Sequence, residues 1–290
     1  MISRPTHAQA NEAARLADDD YRAIYSELLF REAASTMALG LNIAFYRSFL
    51  SPRVARLLAQ TRVLMEEPVQ RASDTAVLVW EMVMHGFEDE RGRAALRRMN
   101  QIHARFDIAR EDHLYVLATL VVVPMQVMDR YGWRHTSEPE RAASAAFYAR
   151  MGRLMGLGDD VPATFAKFEE FMLDYERRNF AYSDEASDLV TATVSLMAHR
   201  FPRPLRGAVG MLTSTLMSRS MRKAAGVRTP PPGLAAAVRV AVRAAARRAH
   251  RRDPNPGHRF PDGVVVLPAY PNGYRIEEVG HAASAASRRS

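Results

Sequence analysis

The sequence predicts an all-α protein, a single large multi-helix domain with a basic C-terminal extension. Three observations carry that prediction. Apolar residues recur at helical spacing through most of the first 225 residues, and no alternating apolar–polar run of strand type occurs before residue 260. The charge also shifts along the chain: residues 1–200 carry 24 Lys+Arg against 28 Asp+Glu, whereas the last 90 carry 16 against 4. The boundaries that follow are a flexible N-terminus over 1–20, a helical domain over 21–225, and a basic helix with a largely flexible tail over 226–290.

Each element has a local reason. Between Tyr21 and Ala59, Leu28, Leu29, Ala33, Met37, Leu41, Ala44, Phe45 and Phe49 form one broad apolar stripe. Ser51 followed by Pro52 restarts a helix as an N-cap and first-turn proline. Pro68 makes another break, and beyond it Ser73–Phe87 runs at helical period with Val77, Leu78, Met82 and Val83 inward. Gly86 and Gly92 bracket an acidic turn, after which Arg93–Ala104 and Glu111–Arg130 are the next two helices. Pro124 lies inside the second and should kink it, because proline removes one backbone donor and frees the carbonyl of Leu120. Thr136–Leu154 opens with Thr136, Ser137, Glu138 and Glu140 as N-terminal capping and dipole partners. Gly156, Gly158 and Pro162 fall in a turn, and Phe165–Phe180 and Asp184–Phe201 complete the series.

The TPPPG break near residue 230 precedes a basic helix over 234–252, with Arg239, Arg243, Arg247 and Arg251 four apart and Ala and Val opposite. Its apolar side is expected to dock on the domain and leave the arginines in water; the same pattern suits peripheral contact with an anionic membrane. Val264–Leu267 is the sole strand candidate.

Composition excludes several chemistries. With no cysteine there is no disulfide, thiolate nucleophile or cysteine-ligated metal. The net charge of +8 belongs to the extension and is nearly all arginine, so no nucleic-acid partner is expected. The N-terminus has no apolar segment of signal type, and the longest apolar run, Leu114–Met128, is shorter than the ~20 residues of a spanning helix. The expected location is cytoplasmic, at most membrane-peripheral.

Of nine histidines, His7, His250, His258 and His281 fall in segments that read as mobile or solvated. His85 ends a helix, His113 and His135 begin helices, and His199 lies near the end of a late one. His103 alone stands between a polar turn and the longest apolar run, as an imidazole at the wall of an apolar cavity would; a hydrogen-bonded core histidine shows the same pattern. Arg71, Asp74 and Thr75, in RASDT, place charge and hydroxyl at the mouth of the helix carrying Trp80, and helix capping with an Arg71–Asp74 pair would explain them equally. Glu81 with His85, Glu111, and Glu169 or Glu170 sketch a carboxylate-bridged metal site without the paired Glu-x-x-His motifs it needs.

Five motifs then occur in a fixed order: QRASDT, NQIHARFDI with EDHLYVLATLVVVP, RYGWR with TSEPERAA, MGRLMGL, and YERRNFAYSDEA. Over residues 30–200 they resemble the family containing the fungal MpaB oxygenase and the bacterial latex-clearing rubber oxygenases. That resemblance implies a globin-like haem-binding domain with haem b ligated through iron by His103. It implies that Arg71 meets a haem propionate or dioxygen, that Thr75 donates a hydrogen bond on the distal side, and that Thr136 contributes to cofactor binding. The implied reaction uses O2 on a hydrophobic small molecule or polyisoprenoid, by oxidative cleavage of a C=C bond or a related oxidation. Two departures stand out: Asp74 occupies the place of a rubber-oxygenase lysine, and Val123-Pro124 replaces a Glu-Pro pair. A non-haem metal oxidase and a non-catalytic helical ligand-binding protein are the competing readings.

Overall fold

Proline, glycine and capping residues divide the chain into helices, seen in a computed structural model that describes residues 18–60, 68–198, 202–203, 206–252, 269–270 and 272–280. Among the described residues there are twelve α-helices and no strand. They are α1 (Asp18–Glu27), α2 (Ala34–Ser48), α3 (Pro52–Gln60), α4 (Pro68–His85), α5 (Glu90–His103), α6 (Arg110–Tyr131), α7 (Glu138–Gly152), α8 (Phe165–Asn179), α9 (Asp184–Ala198), α10 (Arg206–Leu216), α11 (Arg219–Ala225) and α12 (Leu234–Arg252). The first 17 residues, the strand candidate Val264–Leu267, and His7, His199, His258 and His281 lie outside the described residues.

The apolar run around residue 120 becomes the centre of the fold. In α6, Leu114, Tyr115, Leu117, Ala118, Val121–Val123, Met125, Val127 and Met128 are all buried, so the helix is covered on several sides, which is why its sequence lacks an amphipathic stripe. By length and composition α6 is the one described helix able to cross a membrane, but 72% of its apolar window is buried inside the protein. Its closest neighbour is α2, and glycine sets that distance: a Cβ on Gly40 would stand 2.5 Å from Pro124 Cα. The proline therefore also serves as a flat contact surface for α2. Gly86, with φ +78°, ends α4 and turns the chain into α5.

A polar network, buried except at Arg53, locks α2, α3, α6 and α8 together. Arg47 holds Glu176 through both carboxylate oxygens (2.5 and 2.8 Å), and Tyr115 donates to the same carboxylate at 3.1 Å. One turn of helix earlier, Arg53 grips Asp112 at 2.6 and 2.5 Å, and Tyr175 donates to Asp112 at 2.5 Å. The Tyr115 and Tyr175 rings stack at 4.0 Å between the two clusters. Because buried charges are costly unless paired, this network fixes the start of α6 in register with its neighbours.

Helix α7 begins with the capping box foreseen in the sequence, Ser137 with Glu140. Helix α12 lies along α6 and α10 with Val242 against the core and Arg239, Arg247, Arg248 and Arg251 exposed. Arg243 departs from the expected stripe and is half-buried, and His250 stacks on Trp133 at 3.7 Å. The tail also differs from a loose extension over 272–280: Ile276 and Val279 are buried in the same core as the helices, and Tyr270 and Tyr274 pack against it.

Candidate functional site

The end of α5, the start of α6 and the first half of α4 converge on two histidines. His103 is the last residue of α5, and the connection over 104–109 turns sharply, with Phe106 N donating to the His103 carbonyl at 3.0 Å. That turn returns the chain so that His113, on the first turns of α6, faces His103 with ring centroids 5.0 Å apart. Asp112, gripped by Arg53 and Tyr175, holds this end of α6 and so fixes where His113 stands.

Both imidazoles carry a nitrogen shut off from water with no hydrogen-bond partner, Nδ1 of His103 and Nε2 of His113. Burial, with smaller contributions from His113 and Arg71, pulls the His103 pKa from 6.5 down to about 3. Burial also lowers that of His113 against the opposing pull of Asp112. At neutral pH both rings are therefore uncharged, with lone pairs available. A buried polar atom without a partner costs free energy, which marks these nitrogens as places where a ligand would be favoured.

Arg71 reaches this group from α4, and its guanidinium donates to Thr75 Oγ1 one turn on. Thr75 Oγ1 lies 3.3 Å from the Arg71 carbonyl. Burial lowers the Arg71 pKa, and the charge of Asp74 raises it in part. Asp74 is buried and points to other partners: its Oδ1 accepts from Gln70 Nε2 at 2.7 Å and from the Tyr270 hydroxyl. The capping explanation does not describe these residues, since all three lie inside α4.

Arg71 and Thr75 are thus in contact, and the Arg71 charge is close enough to act on His103. Thr136 does not join them. It lies past the far end of α6, where its N and Oγ1 donate to Asp129 at 2.7 and 2.8 Å and its Oγ1 accepts from Arg141 at 3.0 Å. Asp129 follows His113 by sixteen residues along the helix, about 24 Å at 1.5 Å per residue. The residue passed over in the sequence is His113. Its only signal is a spacing of ten from His103 across a short polar connection, and that spacing brings two rings together only when the connection turns back.

The carboxylate-bridged alternative disperses. Glu81 is held by Arg91 at 2.9 and 2.6 Å, Glu111 by Arg178 at 2.6 Å, Glu169 by Gln126 at 2.9 Å and Glu170 by Lys167 at 2.7 Å. Among the described residues no three His, Asp or Glu side chains converge as metal ligands.

Comparison with known proteins agrees with the motif order. The profile of the family described as "ER-bound oxygenase mpaB/B'/Rubber oxygenase, catalytic domain" matches residues 29–250, which takes in the α4–α6 site and reaches into α12. The chain is 23% identical over 240 residues to ER-bound oxygenase mpaB' of Penicillium brevicompactum, covering 77% of this chain and 57% of that protein. It is 25% identical over 225 residues to ER-bound oxygenase mpaB of the same fungus, covering 71% and 57%. To ER-bound oxygenase mpaB of Penicillium roqueforti (strain FM164) it is 25% identical over 231 residues, covering 73% and 76%. All three relatives are named as ER-bound. With three quarters of its length matched, the chain belongs to the mpaB/B' and rubber oxygenase catalytic-domain family.

Proposed function

We propose that the chain is a haem b-dependent oxygenase that acts with O2 on a hydrophobic, isoprenoid-like substrate, with His103 as the iron ligand. The observation that carries this reading is the half-buried imidazole pair, each ring with one unpartnered nitrogen shut off from water, near the Arg71–Thr75 contact. A metal-ligating imidazole must be neutral, and His103 is held neutral well below physiological pH with an unpartnered ring nitrogen. His103 would hold a haem through its iron with a single imidazole, whereas among the described residues no three or four side chains converge as a bare metal ion would require.

Bound there, haem would supply the dioxygen chemistry for cleaving a C=C bond or a related oxidation. The chain's own residues supply position and polarity. Arg71 offers a desolvated positive charge to a carboxylate or to negative charge that develops during reaction. Thr75 holds the Arg71 guanidinium and orients a polar atom of the ligand. Asp74 is the counter-charge for Arg71 and does not itself face the histidines. His113 stands against His103, ring centroids 5.0 Å apart, and adds a second neutral imidazole to the site.

Membrane proximity suits a hydrophobic substrate, and α12 is the surface for it. Arg239, Arg247, Arg248 and Arg251 are exposed around Val240, itself 67% exposed, an arrangement that attracts anionic headgroups and inserts a small apolar side chain. The deciding experiment is an absorption spectrum of the chain purified from haem-replete cells, with and without imidazole or carbon monoxide. A Soret band that is lost in His103→Ala is expected. A wild-type chain without the band, or a variant that keeps it unchanged, overturns the assignment.

A further inference from the structure

The family match ends at residue 250, yet the α4–α5 face that forms the site is completed by a segment beyond it. Residues 269–270 and 272–280 run along that face and touch it at four places. The Tyr270 hydroxyl donates to Asp74 and accepts from Gln70 Nε2 at 2.8 Å. The Tyr274 hydroxyl donates to Glu81. The Val279 carbonyl accepts from Arg98 Nε at 2.7 Å. Gly280 lies against Ile102, so that an added Cβ would come within 2.8 Å of its Cδ1, and Ile102 directly precedes His103. Val279 is fully buried and Ile276 nearly so, which makes the segment part of the core.

These contacts bracket the site: one end holds the residue next to Thr75, the other the residue next to His103. Asp74 is the key to the first. Its charge acts on Arg71 and on Arg98, both cations with buried surroundings, while the hydrogen bonds to its Oδ1 come from two neutral donors, Gln70 and Tyr270. Burial and the Asp74 contact push the Tyr270 hydroxyl pKa up, so it remains a donor across the physiological range. With Oδ1 occupied in this way, the Arg71 guanidinium goes to Thr75, four residues along the same helix. Without the Tyr270 proton, Asp74 would keep only the Gln70 donor on Oδ1, three residues along the helix from the Arg71 guanidinium, and the attraction between the two charges would draw Arg71 off Thr75.

We propose that Tyr270 is a positioning residue of the site: the strap formed by residues 269–270 and 272–280 holds Asp74 away from Arg71, so that Arg71 stays on Thr75, on the His103 side of α4. The inference deepens the proposed function, and its test is chosen to read without a cofactor.

In the cofactor-free full-length chain, diethyl pyrocarbonate labelling of each histidine is followed by peptide mass spectrometry, with the exposed His135 as internal reference. Tyr270→Phe keeps the ring that packs on Tyr274 at 5.5 Å and removes only the hydroxyl. The expected result is a rise in the His103 labelling rate of about fivefold relative to His135, the population shift that loss of one buried hydrogen bond produces. Tyr274→Phe, which loosens the same strap but leaves Glu81 held by Arg91, should leave His103 labelling at the wild-type rate. Equal labelling in wild type and Tyr270→Phe overturns the proposal, as does an equal rise in both variants, which would mean general loosening. The haem assignment fails separately, by the Soret band and His103→Ala, and that failure leaves the labelling result standing.

Discussion

Replacing His103 by Gln should remove a measurable part of the acid sensitivity of the fold. In the folded chain burial, then His113 and Arg71, hold the His103 pKa at about 3, against 6.5 in an unfolded chain. The folded value is the lower one, so the unfolded chain binds the proton first as pH falls. The stability tied to the neutral ring is therefore complete above pH 6.5 and drains between pH 6.5 and about 3. Each pH unit inside that window costs about 1.4 kcal/mol, and from pH 7 to pH 5 the loss from this one residue is about 2 kcal/mol. His113 is shifted in the same direction and adds to the slope.

The assay is urea unfolding of the cofactor-free chain at pH 7 and pH 5, in wild type and His103→Gln. Every other titratable group is common to both proteins, so only the difference between the two pH dependences reports on His103. Wild type should lose about 2 kcal/mol more than the variant over this interval. Parallel losses, agreeing within about 0.5 kcal/mol, would show that the ring is solvated and titrates normally, and with that the case for a neutral donor at this position would fall.

Gly40→Ala should lower stability by about 1–3 kcal/mol in the same denaturant assay, because the added methyl has no room against Pro124 and α2 must move off α6. Glu176→Leu leaves Arg47 buried without its partner and should cost about 3–5 kcal/mol, while replacing both residues by apolar ones should recover much of the loss. Reversing Arg239, Arg247, Arg248 and Arg251 to Glu should abolish co-sedimentation with vesicles rich in anionic lipid, at about 1 kcal/mol per arginine removed, and binding by the wild type should weaken as salt is raised. Binding that persists in the Glu variant would move the membrane contact away from α12.

The helices were legible wherever a period and a punctuating residue coincided: Pro52, Gly86 and the Ser137–Glu140 box all mark true ends. What the period could not show is which side of α6 faces what, since a helix buried on several sides carries no stripe. The site was half legible. His103 stood out by its place before an apolar run, and Arg71 and Thr75 by their motif. Thr136 followed the motif order too, but lies at the other end of α6, because succession along a long helix says nothing about proximity. His113 and Tyr270 were hidden for a related reason. A residue ten positions away meets His103 through a turn whose geometry no local pattern announces, and Tyr270 meets Asp74 across 196 residues of chain.

Composition alone does not show the packing of residues 272–280, and the reason bears on how the site is held. Pro, Gly, Asn and Arg dominate around residues 253–275, which reads as a segment unable to bury enough to order itself. Order over 272–280 comes instead from a few anchors, Tyr270, Tyr274, Ile276 and Val279, landing on a face that α4 and α5 have already built. Fixing such a segment costs conformational entropy at every residue and returns only a handful of contacts. A strap in that balance is among the first parts to open under native conditions. Its contacts fall beside Thr75 and His103, so opening it would change the polar side of the site before it changed the core. Amide exchange across α4 and α5 should accordingly rise together with exchange in 272–280, and ahead of exchange in α6.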